Sequence, residues 1–346
     1  MRCISKRPRR SQKGAVPALA AGAAVVLALT GCGNSGSAQD SDDGVISVVT
    51  STNVYGDIAE TVGGENVEVT PIIDSLSQDP HSYEATVRDK LEVSKAELVV
   101  ENGGGYDAFL HRLVEDTASG DRAVVTAVEL SGMQHDDAAA SSAEDEAHAG
   151  HEDEAHAGHQ EDAGSHAGHS HGGFNEHVWY DLATASAVAT EIADRLSVLD
   201  KANAETYRAN AAEFTASIEQ LQQQVAEIKD RHGGDGVAIS EPVPLHLLED
   251  AGLVNKTPAE FSQAVEEGNG VSPVVLQETL RLFSTGDVEL LAYNEQTEGS
   301  QTQAVEAAAK EARVPVVNFT ETLPGGKGYV PWMSANVDNI ERALSQ

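Results

Sequence analysis

The sequence predicts an α/β protein of two lobes joined by one long helix. Strands rich in β-branched residues alternate with helical stretches, the pattern of parallel βαβ units. That alternation runs through the first half of the 346-residue chain and is repeated in the second. Between the halves, residues 200–228 carry Tyr207, Phe214, Ile218, Leu221 and Val225 at helical spacing. A helix of roughly thirty residues is about 40 Å long, enough to connect two lobes along one side.

The chain opens with an export signal. Residues 2–13 are basic, and an apolar run over 15–29 follows that is too short for a comfortable membrane span. The run ends in Leu29-Thr30-Gly31-Cys32, a small residue before a Cys with Leu three positions ahead of it. This resembles the bacterial lipobox, in which the Cys is lipidated and becomes the mature N-terminus. Residues 1–31 are then the lipoprotein signal peptide, Cys32 the lipid site, and residues 32–44 a small, polar, acidic tether. The only other cysteine, Cys3, lies in the removed part, so neither a disulfide nor a thiolate metal site is available to the mature fold. The formal net charge is -34, and removing a basic leader makes it more negative still. Such a surface repels nucleic acid and anionic headgroups and concentrates cations.

Residues 45–50 form a β-branched strand, 51–63 a helix stopped by Gly63-Gly64, and 67–73 a second strand. A loop over 74–82 leads to a helix over 84–96. Strand 98–100 runs into Gly103-Gly104-Gly105, read as a turn, and is followed by helix 106–117 and strand 123–128. Residues 132–173 then lack large apolar side chains and cannot bury enough surface to fold. The octad Glu-Asp-Glu-Ala-His-Ala-Gly-His occurs there at 144–151 and again at 152–159. Order resumes before helix 182–199. After the long helix, Gly233-Gly234 makes a stop, and strand 237–239, helix 243–251, helix 273–283, strand 290–293, helix 300–312, strand 314–319 and helix 334–344 complete the second lobe. The expected divisions are an N-terminal lobe over 45–200 with the insert 132–173, a linking helix over 201–232, and a C-terminal lobe over 233–346.

Four positions put a metal-capable side chain at the carboxyl end of a strand or the start of a helix, where open α/β sheets bind ligands. They are His81, His177 (after the insert), Glu241 in Ser240-Glu241-Pro242, and Glu321 in Thr320-Glu321-Thr322. Two come from each half, so one ion held by all four would sit between the lobes. Taken singly, a loop His or a Glu at a helix start is ordinary surface chemistry; the matching topological positions make the set informative.

Asp79-Pro80-His81-Ser82-Tyr83-Glu84 resembles the Asp-Pro-His-x-Tyr-Glu signature of the zinc/manganese solute-binding proteins of bacterial ABC importers. Glu176-His177-Val178-Trp179 is similar to that family's second-His motif, and the likeness extends over residues 45–346, including Tyr207-Arg208-Ala209-Asn210. The resemblance implies two Rossmann-like lobes bridged by the long helix, a metal in the cleft, and His81 and His177 as its first two ligands. It also implies a lipid-anchored extracytoplasmic receptor, a monomer, that works with an ABC permease and its ATPase. The second half departs from the family's zinc pattern: Glu241 stands where zinc members have His and manganese members have Glu, and Glu321 stands where Asp is usual. His246, five residues on, is the alternative to Glu241 as the third ligand.

The insert favours zinc. His135, His148, His151, His156, His159, His166, His169 and His171 alternate with carboxylates there, and imidazole suits zinc. These residues are expected to gather zinc beside the cleft, and zinc is the expected cargo, with manganese as the alternative. The sequence contains no Gly-x-Ser-x-Gly elbow, His-Glu-x-x-His pair or Walker loop, and four protein donors closing the metal would favour retention over catalysis. The competing classes are a secreted metallohydrolase, which would need a general base beside the metal, and a metal-buffering or adhesin lipoprotein whose His-rich segment is the working part. Tyr329 to Trp332 reads as cleft-wall packing, and His111 and His232 as surface or helix-end residues.

Overall fold

A computed structural model describes residues 44–117, 122–133 and 174–346. The signal peptide, Cys32 and the eight insert histidines lie outside the described residues. Two four-stranded parallel sheets have the same order, β2-β1-β3-β4 and β6-β5-β7-β8. In the first, β1 is Ile46–Thr52, β2 Val67–Ile73, β3 Leu98–Glu101 and β4 Ala123–Thr126. In the second, β5 is Gly236–Ile239, β6 Val254–Asn255, β7 Leu290–Asn294 and β8 Val316–Phe319.

Eleven α-helices are described: α1 Asn53–Gly63, α2 Val87–Lys95, α3 Ala108–Asp116, α4 Ala127–Leu130, α5 Leu182–Leu199, α6 Ala204–His232, α7 Leu245–Asp250, α8 Ala259–Glu266, α9 Pro273–Thr285, α10 Ser300–Ala312 and α11 Tyr329–Leu344. Strand alternation sorts the side chains to two faces. Val48 faces the core shared with α1, α5 and α6, whereas Val49 faces α2 and α3. In the second sheet Val237 and Ile239 join that same shared core, and Ala238 packs toward α8, α9 and α10. The central apolar cluster is therefore continuous from one sheet to the other, and the described residues form one unit.

The long helix α6 follows the 3-4 spacing of its buried Tyr207, Ala211, Phe214, Ile218, Leu221, Val225 and Ile228. It starts later than the expected residue 200. The Asp200 carboxylate accepts hydrogen bonds from Ala202 N, Asn203 Nδ2 and the Tyr207 hydroxyl, which turns the chain between α5 and α6. It ends at the expected His232, where Lys229, Arg231 and His232 complement the negative end of the dipole. Helix α2 begins at Val87 rather than 84 because Thr86 and Asp89 form a capping box. Helix α11 begins at Tyr329 rather than 334: Asp57, from α1, accepts the Tyr329 N–H at 2.7 Å, and Pro331 falls in the first turn where it is tolerated. The three glycines after β3 have φ of 79°, 65° and 97°, a left-handed run that other residues would strain. β6 and α8 were not anticipated from the sequence. Tyr329 and Trp332 are buried in the shared core, where the Tyr329 hydroxyl donates to the Trp179 carbonyl.

A core shared by both sheets should unfold as one. Phe214→Ala is expected to lower stability by about 3–5 kcal/mol, with one denaturation transition in both wild type and variant. Two separable transitions in urea, followed by fluorescence and circular dichroism, would contradict a continuous core.

Candidate metal centre

His81 lies in a 3₁₀ turn, Pro80–Ser82, directly after the β2 loop. Asp79 caps this turn, accepting from His81 N at 3.0 Å and from the Ser82 hydroxyl at 2.7 Å. Pro80 occupies the first position, where a missing N–H costs nothing. The imidazole meets Tyr106 edge-on, with ring centroids 5.0 Å apart. Its Nε2 is 3.9 Å from Glu321 Oε2, and its Nδ1 is 4.0 Å from Glu176 Oε1.

His177 is fully buried on the segment that precedes α5. Its Nδ1 lies 2.7 Å from Asn175 Oδ1, an acceptor, so Nδ1 carries the proton and Nε2 presents its lone pair. Asn175 is itself anchored in the second lobe: its Nδ2 donates to the Pro242 carbonyl at 3.1 Å. His246 Nε2 is 2.9 Å from the Asn175 carbonyl, to which it donates. His246 thus contacts Asn175, the residue that holds the His177 ring.

Glu241 and Glu321 follow β5 and β8, and in the sheet order β7 runs between those strands. Asn294, the last residue of β7, donates from Nδ2 to Glu321 Oε1 at 2.9 Å and also to Glu241 Oε2. Its own N–H is accepted by the Ser240 hydroxyl, and Tyr106 donates to Glu321 Oε2 at 3.3 Å. Glu321 therefore meets His81 directly, and Glu241 is tied to Glu321 through the shared amide.

Glu266 was not anticipated. It ends α8, and its Oε1 is 3.7 Å from His177 Nε2. His81, His177 and Glu266 each offer a ligand atom, and these atoms lie within 4.8 Å of one another. A signal for α8 is present in the sequence: Thr257-Pro258, then Phe261 and Val265 four apart, then Gly268. Asn294 could be singled out only once the strand order was known. A cavity of about 950 Å³ is lined by Asp79, His81, Ser82, Glu266 and Thr297 among others.

Electrostatically the cluster demands a cation. Burial pushes the Glu241 carboxyl up to about 7, with hydrogen bonds from Thr297 and Asn294 opposing the shift. Burial pushes Glu321 up to about 8, helped by the charges of Glu241 and Asp79 and opposed by Asn294 and Tyr106. Burial again dominates at Glu266, pushed up to about 9, with Glu176, Glu241 and Glu321 adding like-charge repulsion. Among the described residues no lysine or arginine pairs with Glu241, Glu266 or Glu321. A divalent ion would relieve this repulsion, and two imidazoles with several carboxylates are donors that zinc and manganese both accept.

These raised values fix a sign. Each carboxyl contributes stability below its unfolded value near 4.5, and that contribution is lost as pH rises through about 7 to 9. The metal-free protein is therefore expected to lose thermal stability from pH 5 to pH 9, and Glu321→Gln should flatten that slope in a calorimetric pH series. An equal slope in the variant would remove Glu321 as a source.

A family model described as zinc-uptake complex component A, periplasmic, matches residues 48–343. A manganese-binding lipoprotein MntA of Halalkalibacterium halodurans is 27% identical over 201 residues, 58% of this chain and 55% of that one. The alignment with this relative thus spans little more than half its length. The manganese ABC transporter substrate-binding lipoprotein scaA of Streptococcus gordonii is 23% identical over 341 residues, 92% of this chain and 96% of that one. Among solved structures, the periplasmic zinc binding protein TroA from Treponema pallidum superposes with a TM-score of 0.65 at 16% identity, covering 88% of this chain and all of that one (100%). This last likeness speaks to the fold.

Proposed function

This chain belongs to the zinc-uptake complex component A family, and we propose that it is the extracytoplasmic receptor of a metal ABC importer. It captures one divalent transition-metal ion between its lobes and delivers it to the membrane permease that the ATPase drives. Membership in a family of uptake-complex binding components makes it a carrier of substrate, not an enzyme. The observation that carries the reading is that His81, His177 and Glu266 offer ligand atoms within 4.8 Å of one another, with buried Glu321 3.9 Å from His81. His81, His177, Glu241 and Glu321 are the proposed ligands. Lipid on Cys32 would hold the receptor at the outer face of the membrane, as a monomer; the sequence relatives are named as lipoproteins. No helix among the described residues is long and apolar enough to cross a membrane.

Zinc is the proposed cargo, on the His-rich insert and on the general preference of nitrogen and oxygen sites for zinc over manganese. The histidines of the insert would gather zinc near the cleft. Manganese is the second reading, favoured by the carboxylate-rich donor set and by the relatives named for manganese.

Competitive calorimetry on the metal-stripped full chain tests this. One tight site is expected, kept when residues 135–173 are deleted and weakened more than about a hundredfold by His81→Ala or His177→Ala. Tight binding that survives either alanine would sink the site. Manganese held as tightly as zinc by the deletion variant would make manganese the cargo. Affinity is also expected to fall as pH drops through about 6.5, because imidazole must be neutral to bind; equal affinity at pH 7.5 and 5 would count against the histidines.

A further inference from the structure

We propose that Glu266 is a fifth ligand of the cleft ion, which makes the centre a five- or six-coordinate site open to manganese as well as zinc, not a closed tetrahedron. This deepens the reading above and rests on it. The distance from Glu266 Oε1 to His177 Nε2 is 3.7 Å, too long for a hydrogen bond. It is a few tenths of an ångström beyond the roughly 3–3.5 Å that bonds of about 2.0–2.2 Å set between neighbouring donors, so a small approach would bring both atoms onto one ion. The His81–Glu321 separation of 3.9 Å is of the same kind. His177 already gives its Nδ1 proton to Asn175, so the nitrogen facing Glu266 is the one able to bind metal.

The position of Glu266 is otherwise unfavourable in three ways. It ends a helix, where the dipole disfavours an anion. Its side chain is 8% exposed, and Oε1 is buried without a hydrogen-bond donor. Glu176, Glu241 and Glu321 repel it. A bound cation reverses all three. Glu266 also lines the 950 Å³ cavity together with Asp79 and His81, so it stands on the solvent side of the cluster.

Adding a third carboxylate to two imidazoles matters differently to the two ions. Zinc is satisfied by four donors, whereas oxygen-rich, six-coordinate surroundings suit manganese. X-ray absorption on the manganese-loaded full chain should show five or six nitrogen and oxygen donors that include two imidazoles. Glu266→Gln should weaken manganese by at least roughly tenfold and zinc by clearly less, lowering the manganese-to-zinc affinity ratio, and Glu266→Asp should fall between. Circular dichroism of the metal-free variants checks folding, and the wild-type absorption spectrum stands independently of any variant. Four-coordinate manganese, or an affinity ratio unchanged by Glu266→Gln, would overturn the proposal. His81→Ala run in parallel separates the two failures: if it too leaves binding intact, the ion is not in this cleft at all.

Discussion

The structure depends on one electrostatic constraint: glutamates that follow β5 and β8 and end α8 are buried near two imidazoles, with no lysine or arginine paired to Glu241, Glu266 or Glu321 among the described residues. Burying one uncompensated carboxylate is costly, and several together are tolerated only if the surrounding frame cannot relax away from them. The frame here is the apolar cluster running from Val48 and Val100 through Ile192, Phe214 and Leu221 to Ile239 and Phe319. It holds the carboxyl ends of two parallel sheets at fixed positions, and Glu241 and Glu321 follow two strands of the second.

Neutral amides do the positioning. Asn294 bridges Glu241 and Glu321, Asn175 joins His177 to the Pro242 carbonyl, and Asn102 donates to the Glu176 carbonyl beside His177. Asn53 links the lobes at one edge, with its Oδ1 accepting from Leu323 N at 2.8 Å. A lysine or arginine could fix the same carboxylates but would satisfy their charge from within the protein. An amide donates and accepts without adding charge, so the charge these carboxyls need is left to a proton or a cation from outside. Asn102 follows β3 and Asn294 ends β7, the equivalent central strands of the two sheets, so the repeated topology repeats this device.

The parallel α/β pattern, the long helix and the His81 turn were legible because each is local. Asp79-Pro80-His81-Ser82 specifies its own cap, and α6 announces itself by the spacing of Tyr207, Phe214 and Ile218. What was missed depends on partners distant in sequence. The start of α11 is set by Asp57, 272 residues away. β6 has two residues and exists only by pairing with β5. Glu266 closes a short helix whose two terminal acids look like a solvated end until α8 is seen to place one of them against His177.

The cluster divides into a fixed part and an accessible part. His177, Glu241 and Glu321 are each no more than 3% exposed and follow segments packed into the shared core. His81 lies in the connection from β2 to α2 and Glu266 at the end of α8, and both line the large cavity. An ion arriving by that cavity meets Asp79, His81 and Glu266 before the inner carboxylates. A continuous core opposes wide separation of the lobes, since opening it would expose the apolar surface of α5, α6 and α11 to water. Small shifts of connecting segments leave that surface buried, and a displacement of about an ångström at one ligand is enough to break a metal bond whose length is fixed near 2 Å.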